Sequence, residues 1–336
     1  MALRAIRYRM IEMKAIKRVP LGEIDLSDET FSVNFMPDLE RLRSSIMELG
    51  LIQPVLLREK SDGYQVICGF RRISIFREFK NPDIEARVFS EKEGDDFSLF
   101  SLSLHENLTT RGLNTVEKAI VLKRLVHDFN VNRTVVIKTY LPLLSLETHE
   151  KILNTFLSLV RMEDEIKKYI LKEEVSRSNI RILSTFTSKD RTAILRLISP
   201  LKMSENRLRE VMTLLEEISR RERCAVQEVV DRREIEAILS EKETSPSQKT
   251  ERVKKVLMDY RYPRMSRIEE RFERKKRELN LPPNVSLHHP PFFEGRGLKI
   301  EFQFETMDEY RSVISSLSLL DKTELEEMLQ EKHPRS

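Results

Sequence analysis

Tryptophan is absent from this chain of 336 residues, and glycine is scarce, with only 8. Few glycines and a high charged fraction, 34% against 40% hydrophobic, exclude a collagenous or low-complexity chain and favour a helix-rich one. There are 2 cysteines, Cys68 and Cys224, far apart and without the spacing of a disulfide framework or a zinc site. No apolar run approaches the ~18 residues of a membrane span. The start, Met1-Ala2-Leu3-Arg4, meets charge before any apolar core, so no signal peptide is expected. These readings predict a protein with no membrane role, at home in the cytoplasm. Net charge +4 and a pI near 8.9 allow a nucleic-acid partner without requiring one. The length predicts two or three domains.

Between residues 17 and 90 the pattern alternates. Val19 to Ile24 reads as a strand entering a turn. Pro37 opens a helix whose stripe is Leu39, Leu42, Ile46 and Leu49, closed by Gly50. Pro54 to Arg58 and Tyr64 to Ile67 flank Ser61-Asp62-Gly63 as a hairpin, Gly69 leads into a helix, and Ile84 to Val88 forms another strand. From Asn114 onward the sequence is helical. Asn114 and Glu117 make a capping box, and the stripe Ala119, Leu122, Val126 and Phe129 follows. Val135 to Leu144 and Thr148 to Leu159 read as two helices around a break at Ser145-Leu146-Glu147. Ser240 to Thr250 reads as a polar linker, and Arg252 to Leu279 as a charged helix interrupted near Pro263. Val285 to Pro291 and Leu298 to Phe304, around Glu294-Gly295-Arg296-Gly297, read as two strands before a helix capped by Thr306 and Glu309. The fold class is α+β and multidomain. The expected division is an N-terminal tail (1–16), a small α/β domain (17–113), a helical domain (114–239), a linker with a charged helix (240–284), and a ββα unit (285–336).

Two short stretches carry the chemistry. Ile67-Cys68-Gly69-Phe70-Arg71-Arg72 sets a glycine and two arginines after an apolar strand. A helix N-terminus offers N–H groups to an anion, and each guanidinium presents a fork to phosphate oxygens. Glu106-Asn107-Leu108-Thr109-Thr110-Arg111-Gly112-Leu113-Asn114 adds hard oxygens suited to Mg²⁺, from Glu106 and Asn107, and a further cation in Arg111. The competing reading is a plain strand–helix turn with two surface arginines and a helix-capping acid.

These stretches, with Ile52-Gln53-Pro54-Val55 before them, resemble the signature boxes of the ParB family of DNA-partition proteins. The resemblance implies a ParB/sulfiredoxin-like α/β domain that binds CTP and Mg²⁺ through Gly69, Arg71, Arg72, Glu106, Asn107 and Arg111, with Glu106 and Asn107 on the metal. It further implies a helix-turn-helix reading double-stranded DNA, with Thr148, His149, Lys151, Asn154 and Thr155 on its second helix. A C-terminal ββα unit would make a homodimer through Ile300, Phe302 and Phe304. A ParA-like ATPase partner, a nucleoid-associated cytoplasmic location and a role in chromosome or plasmid partition follow in the same way. The departures fall on the nucleotide: Phe70 stands at the family's glutamate, Ser74 at its third arginine, and Arg111 is displaced by one. CTPase activity therefore stays open. Two other readings stand beside the partition protein: an enzyme on the same fold (a nucleoside triphosphatase or nuclease), and a DNA-binding regulator without nucleotide function. Sulfiredoxin's reactive cysteine would fall at Phe70, while Cys68 reads as a buried strand residue. His288, His289 and Glu294 read as a strand end and turn rather than a metal site.

Overall fold

The computed structural model describes residues 15–290, 297–320 and 322–330. Most of the expected N-terminal tail, and the expected turn at Glu294, lie outside them. The chain divides into two compact units, 1–188 and 189–336. The expected break at 113/114 falls inside the first unit, and that at 239/240 inside the second.

The first unit is built on a five-stranded mixed sheet: β1 (Ile16–Pro20), β2 (Ile24–Asp25), β3 (Val55–Lys60), β4 (Gly63–Cys68) and β5 (Asp83–Phe89), in the order β1-β5-β3-β4-β2. β3 and β4 form the expected antiparallel hairpin. Helix α2 (Phe70–Glu78) then carries the chain back, so β5 lies parallel to β3. Alternating apolar side chains, among them Val55, Leu57, Val66, Ile84 and Ala86, make the core, with Ile73 of α2 packed onto it. This crossover fixes where the arginines of α2 begin.

Helix α1 runs Glu40–Leu49, three residues later than Pro37 suggested. Met36 has a positive φ of 45°, and Asp38 accepts the Glu40 N–H at 3.1 Å, so a side-chain turn occupies the place of the first helical turn. Only Ile46 of the expected stripe is buried, and Leu49 is 70% exposed. Two bonds from Arg43 to Glu78, at 3.0 and 3.1 Å, tie α1 to α2.

Helix α3 (Asp96–Thr110) starts on Asp95, whose carboxylate accepts the Ser98 N–H. Helix α4 (Thr115–Lys123) starts with the complete Asn114/Glu117 capping box and continues through a wide π turn, Arg124–Asp128. That turn alters the helical phase, and Leu125 rather than Val126 is buried. A helical stretch α5 (133–143) and helix α6 (Glu150–Val160) follow, and α6 packs against α4. Ser145 turns the chain between them at φ 57°, a backbone state usually left to glycine. Helices α7 (Asp164–Lys172) and α8 (Arg177–Leu183) complete the unit.

The second unit holds α9 (Ser188–Ile198), α10 (Glu205–Glu222), α11 (Val226–Val230), α12 (Arg233–Ser240), α13 (Pro246–Arg261) and α14 (Pro263–Glu278). The expected linker is instead the start of α13. Ser245 and Gln248 form a capping box, Pro246 sits in the first turn, and Lys249, Thr250, Val253 and Leu257 are buried. Thr250 also donates to the Lys202 carbonyl at 3.1 Å, which holds this turn in place. Pro263 opens α14, whose charges include a Lys275–Glu327 pair at 2.8 Å, while Phe272 is buried. Strands β6 (Val285–His288) and β7 (Lys299–Phe302) pair antiparallel, followed by α15 (Met307–Ser318) and α16 (Lys322–Gln330). Thr306 caps α15 through the Glu309 N–H. His288 faces Glu301 and the His289 ring meets Phe272 edge-on; no cluster of three metal-ligating side chains exists among the described residues.

Candidate functional site

Beside α1, α2 and α3 lies a cavity of about 690 Å³. Gly69, Arg71, Arg72, Glu106, Asn107 and Arg111 all line it, so the two sequence stretches meet in space. Residues about 35 apart in sequence come together because α2 starts where β4 ends and α3 finishes beside the same strand end.

Gly69 has φ 109°, and a Cβ there would stand 2.6 Å from Val55 Cγ1. The glycine is thus demanded by its own backbone and by close packing on β3. The arginines are engaged by protein groups. Arg72 donates to Glu106 at 2.6 Å and to the carbonyls of Gln53 and Pro54. Glu106 accepts on its other oxygen from the Cys68 thiol at 2.8 Å. Burial, then the charge of Glu106, pushes the Cys68 thiol up to about 12. It is not a nucleophile at neutral pH.

Arg71 donates to Asn34 at 2.9 Å and to Glu117 at 2.7 Å. Arg111 donates to Asn107 at 2.7 Å and to the other oxygen of Glu117 at 2.8 Å. Burial, followed by the positive charge of Arg111, holds the Arg71 guanidinium below its ordinary value. Glu117, only 1% exposed, answers both cations. The sequence presents Glu117 as a helix cap alone. Its second role has no local signal, because Arg71 lies 46 positions away. Asn34 has no local signal either, lying 37 positions from Arg71. Phe70, at the family's glutamate position, packs partly buried against the sheet core, and Ser74 donates back to the Phe70 carbonyl. Neither replaces the missing charges.

In the helical segment Thr148, His149, Lys151 and Asn154 are exposed, and Asn154 accepts from Arg133 at 2.5 Å. Thr155 is a correction to the expected set: it is buried, with its hydroxyl donating to the Lys151 carbonyl of its own helix. Period 3.6 places it on the inner face, beside Phe156 and one turn from Ile152. Among the described residues no helix is long and apolar enough to cross a membrane.

Residues 7–108 match the family model of the ParB N-terminal domain. The chromosome-partitioning protein ParB of Caulobacter vibrioides is 27% identical over 150 residues, 44% of this chain and 46% of that protein. A nucleoid occlusion protein of Bacillus thuringiensis is 24% identical over 196 residues, 58% of this chain and 64% of that one. Among solved structures, C-terminally truncated ParB from Caulobacter crescentus complexed with CTP-gamma-S is 21% identical, covering 54% of this chain and 97% of that one at a TM-score of 0.25. That overlap is too loose to carry an argument. The chain spans about half the length of the first of these curated relatives. Residues 7–108 thus carry a ParB N-terminal domain.

Proposed function

We propose that the chain is a DNA-binding partition protein whose α/β domain takes a cytidine triphosphate with Mg²⁺. The observation that carries this reading is the gathering of Gly69, Arg71, Arg72, Glu106, Asn107 and Arg111 on one cavity. Four guanidinium groups line it, Arg41, Arg71, Arg72 and Arg111, against the carboxylates of Asp38 and Glu106, with Glu117 paired to Arg71 and Arg111, so the cluster favours an added anion. Arg71, Arg72 and Arg111 would hold phosphate oxygens, and Glu106 and Asn107 would offer oxygens to the cation. A bound Mg²⁺ supplies charge neutralisation between phosphates. The residues fit the pair, on the condition that Arg72 and Glu106 part company, since each now satisfies the other. In this reading α6 enters double-stranded DNA, with Lys151 and Asn154 on its exposed side and Thr148 and His149 in the segment that leads into it. The apolar side chains Ile300, Phe304, Met307, Tyr310 and Ile314, all exposed on β7, α15 and the turn between them, support a homodimer through this region. A ParA-like ATPase partner and a nucleoid-bound cytoplasmic location complete the proposal.

Calorimetric titration of CTP with Mg²⁺ into wild type and Arg72→Ala, with and without DNA, tests it. Loss of charge-assisted bonds from Arg72 is expected to weaken binding about 10- to 100-fold. Equal heats for both proteins would remove Arg72 from the site.

A further inference from the structure

Glu117 accepts four hydrogen bonds from three separate parts of the first unit. Its Oε1 takes Arg71 at 2.7 Å and the Phe35 N–H at 3.4 Å. Its Oε2 takes Arg111 at 2.8 Å and the Asn114 N–H at 3.1 Å. Asn114 completes the link, donating to the Phe35 carbonyl at 3.0 Å and accepting the Glu117 N–H at 2.8 Å. One buried carboxylate therefore serves two cavity arginines, the loop at residues 34–35, and the first turn of α4.

An anion entering from the cavity meets arginines that already carry protein partners. Arg71 has Nε on Asn34 and Nη2 on Glu117; Arg111 has Nε on Asn107 and Nη1 on Glu117. Arg71 keeps its Nη1 uncommitted, whereas all three nitrogens of Arg111 carry bonds, Nη2 donating to Asn34 at 3.4 Å, so a full fork from Arg111 requires it to release one. A polyphosphate beside a buried carboxylate also adds like-charge repulsion, which low polarity strengthens. Of the partners, the carboxylate is the one that repels the incoming group. The amides of Asn34 and Asn107 carry no net charge and have no such conflict.

We infer that Glu117 is a shared counterion that an anionic ligand displaces from Arg71 and Arg111, so that filling the cavity loosens the cap of α4. This rests on the reading of the cavity as a phosphate site and adds the route by which occupancy reaches the helical segment. Linkage makes the effect reciprocal: whatever opens the cap raises anion affinity. Glu117 is a positioning residue, since it touches the arginines and not the ligand.

Hydrogen–deuterium exchange on the full chain tests the idea, with CTP plus Mg²⁺ and, separately, inorganic tripolyphosphate as titrants. In wild type, exchange at residues 114–118 is expected to rise about fivefold on titration, the effect of losing a helix cap. Glu117→Gln is expected to melt lower when ligand-free and to gain more from tripolyphosphate than wild type does. Slower exchange at 114–118 with titrant, or no change with either, overturns the inference. A wild type that ignores CTP yet responds to tripolyphosphate keeps Glu117 as the displaced group and discards the nucleotide. If Glu117→Gln does not fold, the wild-type exchange decides alone.

Discussion

The thiol of Cys68 points at a carboxylate: Sγ lies 2.8 Å from Glu106 Oε2, while Arg72 holds Oε1 at 2.6 Å. The cysteine of this fold thus acts as a weak donor that steadies the acid. Its pKa near 12, raised by burial and then by Glu106, predicts that iodoacetamide at pH 7.5 modifies Cys224, which is partly exposed, and leaves Cys68 intact. Peptide mass spectrometry of the folded protein checks this. The sign for stability follows from the same shift. A folded-state value above the ordinary 9.0 stabilises the fold fully below pH 9.0, and that contribution is lost as pH climbs toward 12. Cys68→Ser should remove that part of the alkaline slope in a pH series of denaturant melts.

Gly69→Ala is expected to destabilise the first unit by about 2–4 kcal/mol, combining a strained positive φ with overpacking against Val55. The pairing of Gly69→Ala with Val55→Ala is expected to recover part of the loss, since only the steric share is relieved. Urea denaturation of the single and double variants measures both. Full additivity of the two losses would refute the contact.

Asn114→Ala removes a capping side chain and a bond to the Phe35 carbonyl. A loss of about 1–2 kcal/mol is expected, at the upper end for a cap because the site is half-buried. Asn114→Asp keeps the acceptor but sets a second carboxylate beside Glu117, and it should be worse than a cap swap on an open helix. Thermal melts of the two variants rank them.

On the DNA reading, Lys151→Ala should weaken binding across all sequences and flatten the salt dependence by about one unit of slope. Thr155→Val should leave affinity untouched, because the hydroxyl is spent within its own helix. Fluorescence anisotropy over a salt series separates them. Equal losses from both would show that α6 is not the DNA-facing element.

The strands and the crossover were legible because alternation and turn residues are local signals, as at Ser61-Asp62-Gly63 and Gly69. So was the capping box of α4, whose residues are three apart. The six cavity residues were recognisable from their order along the chain, although nothing local says that Arg72 and Glu106 meet. What stayed hidden depended on distance. Glu117 reads as a cap until Arg71 arrives from another element. Thr250 reads as linker until its bond to Lys202 shows a helix packed on its neighbours. The start of α1 was misread because a favourable Pro37 lost to the side-chain turn at Asp38. Leu49 continues an apolar stripe that the helix does not bury over its whole length.

The link from Glu117 to Arg71 and Arg111 sets a rule for dividing this molecule. A fragment ending at residue 113 would contain every predicted pocket residue, yet it would leave two clustered guanidinium groups without their shared carboxylate. Such a fragment would hold phosphate too eagerly and fold too poorly to report on the intact site. The smallest faithful piece of the first unit runs on through α4 and its partner helices, to residue 188.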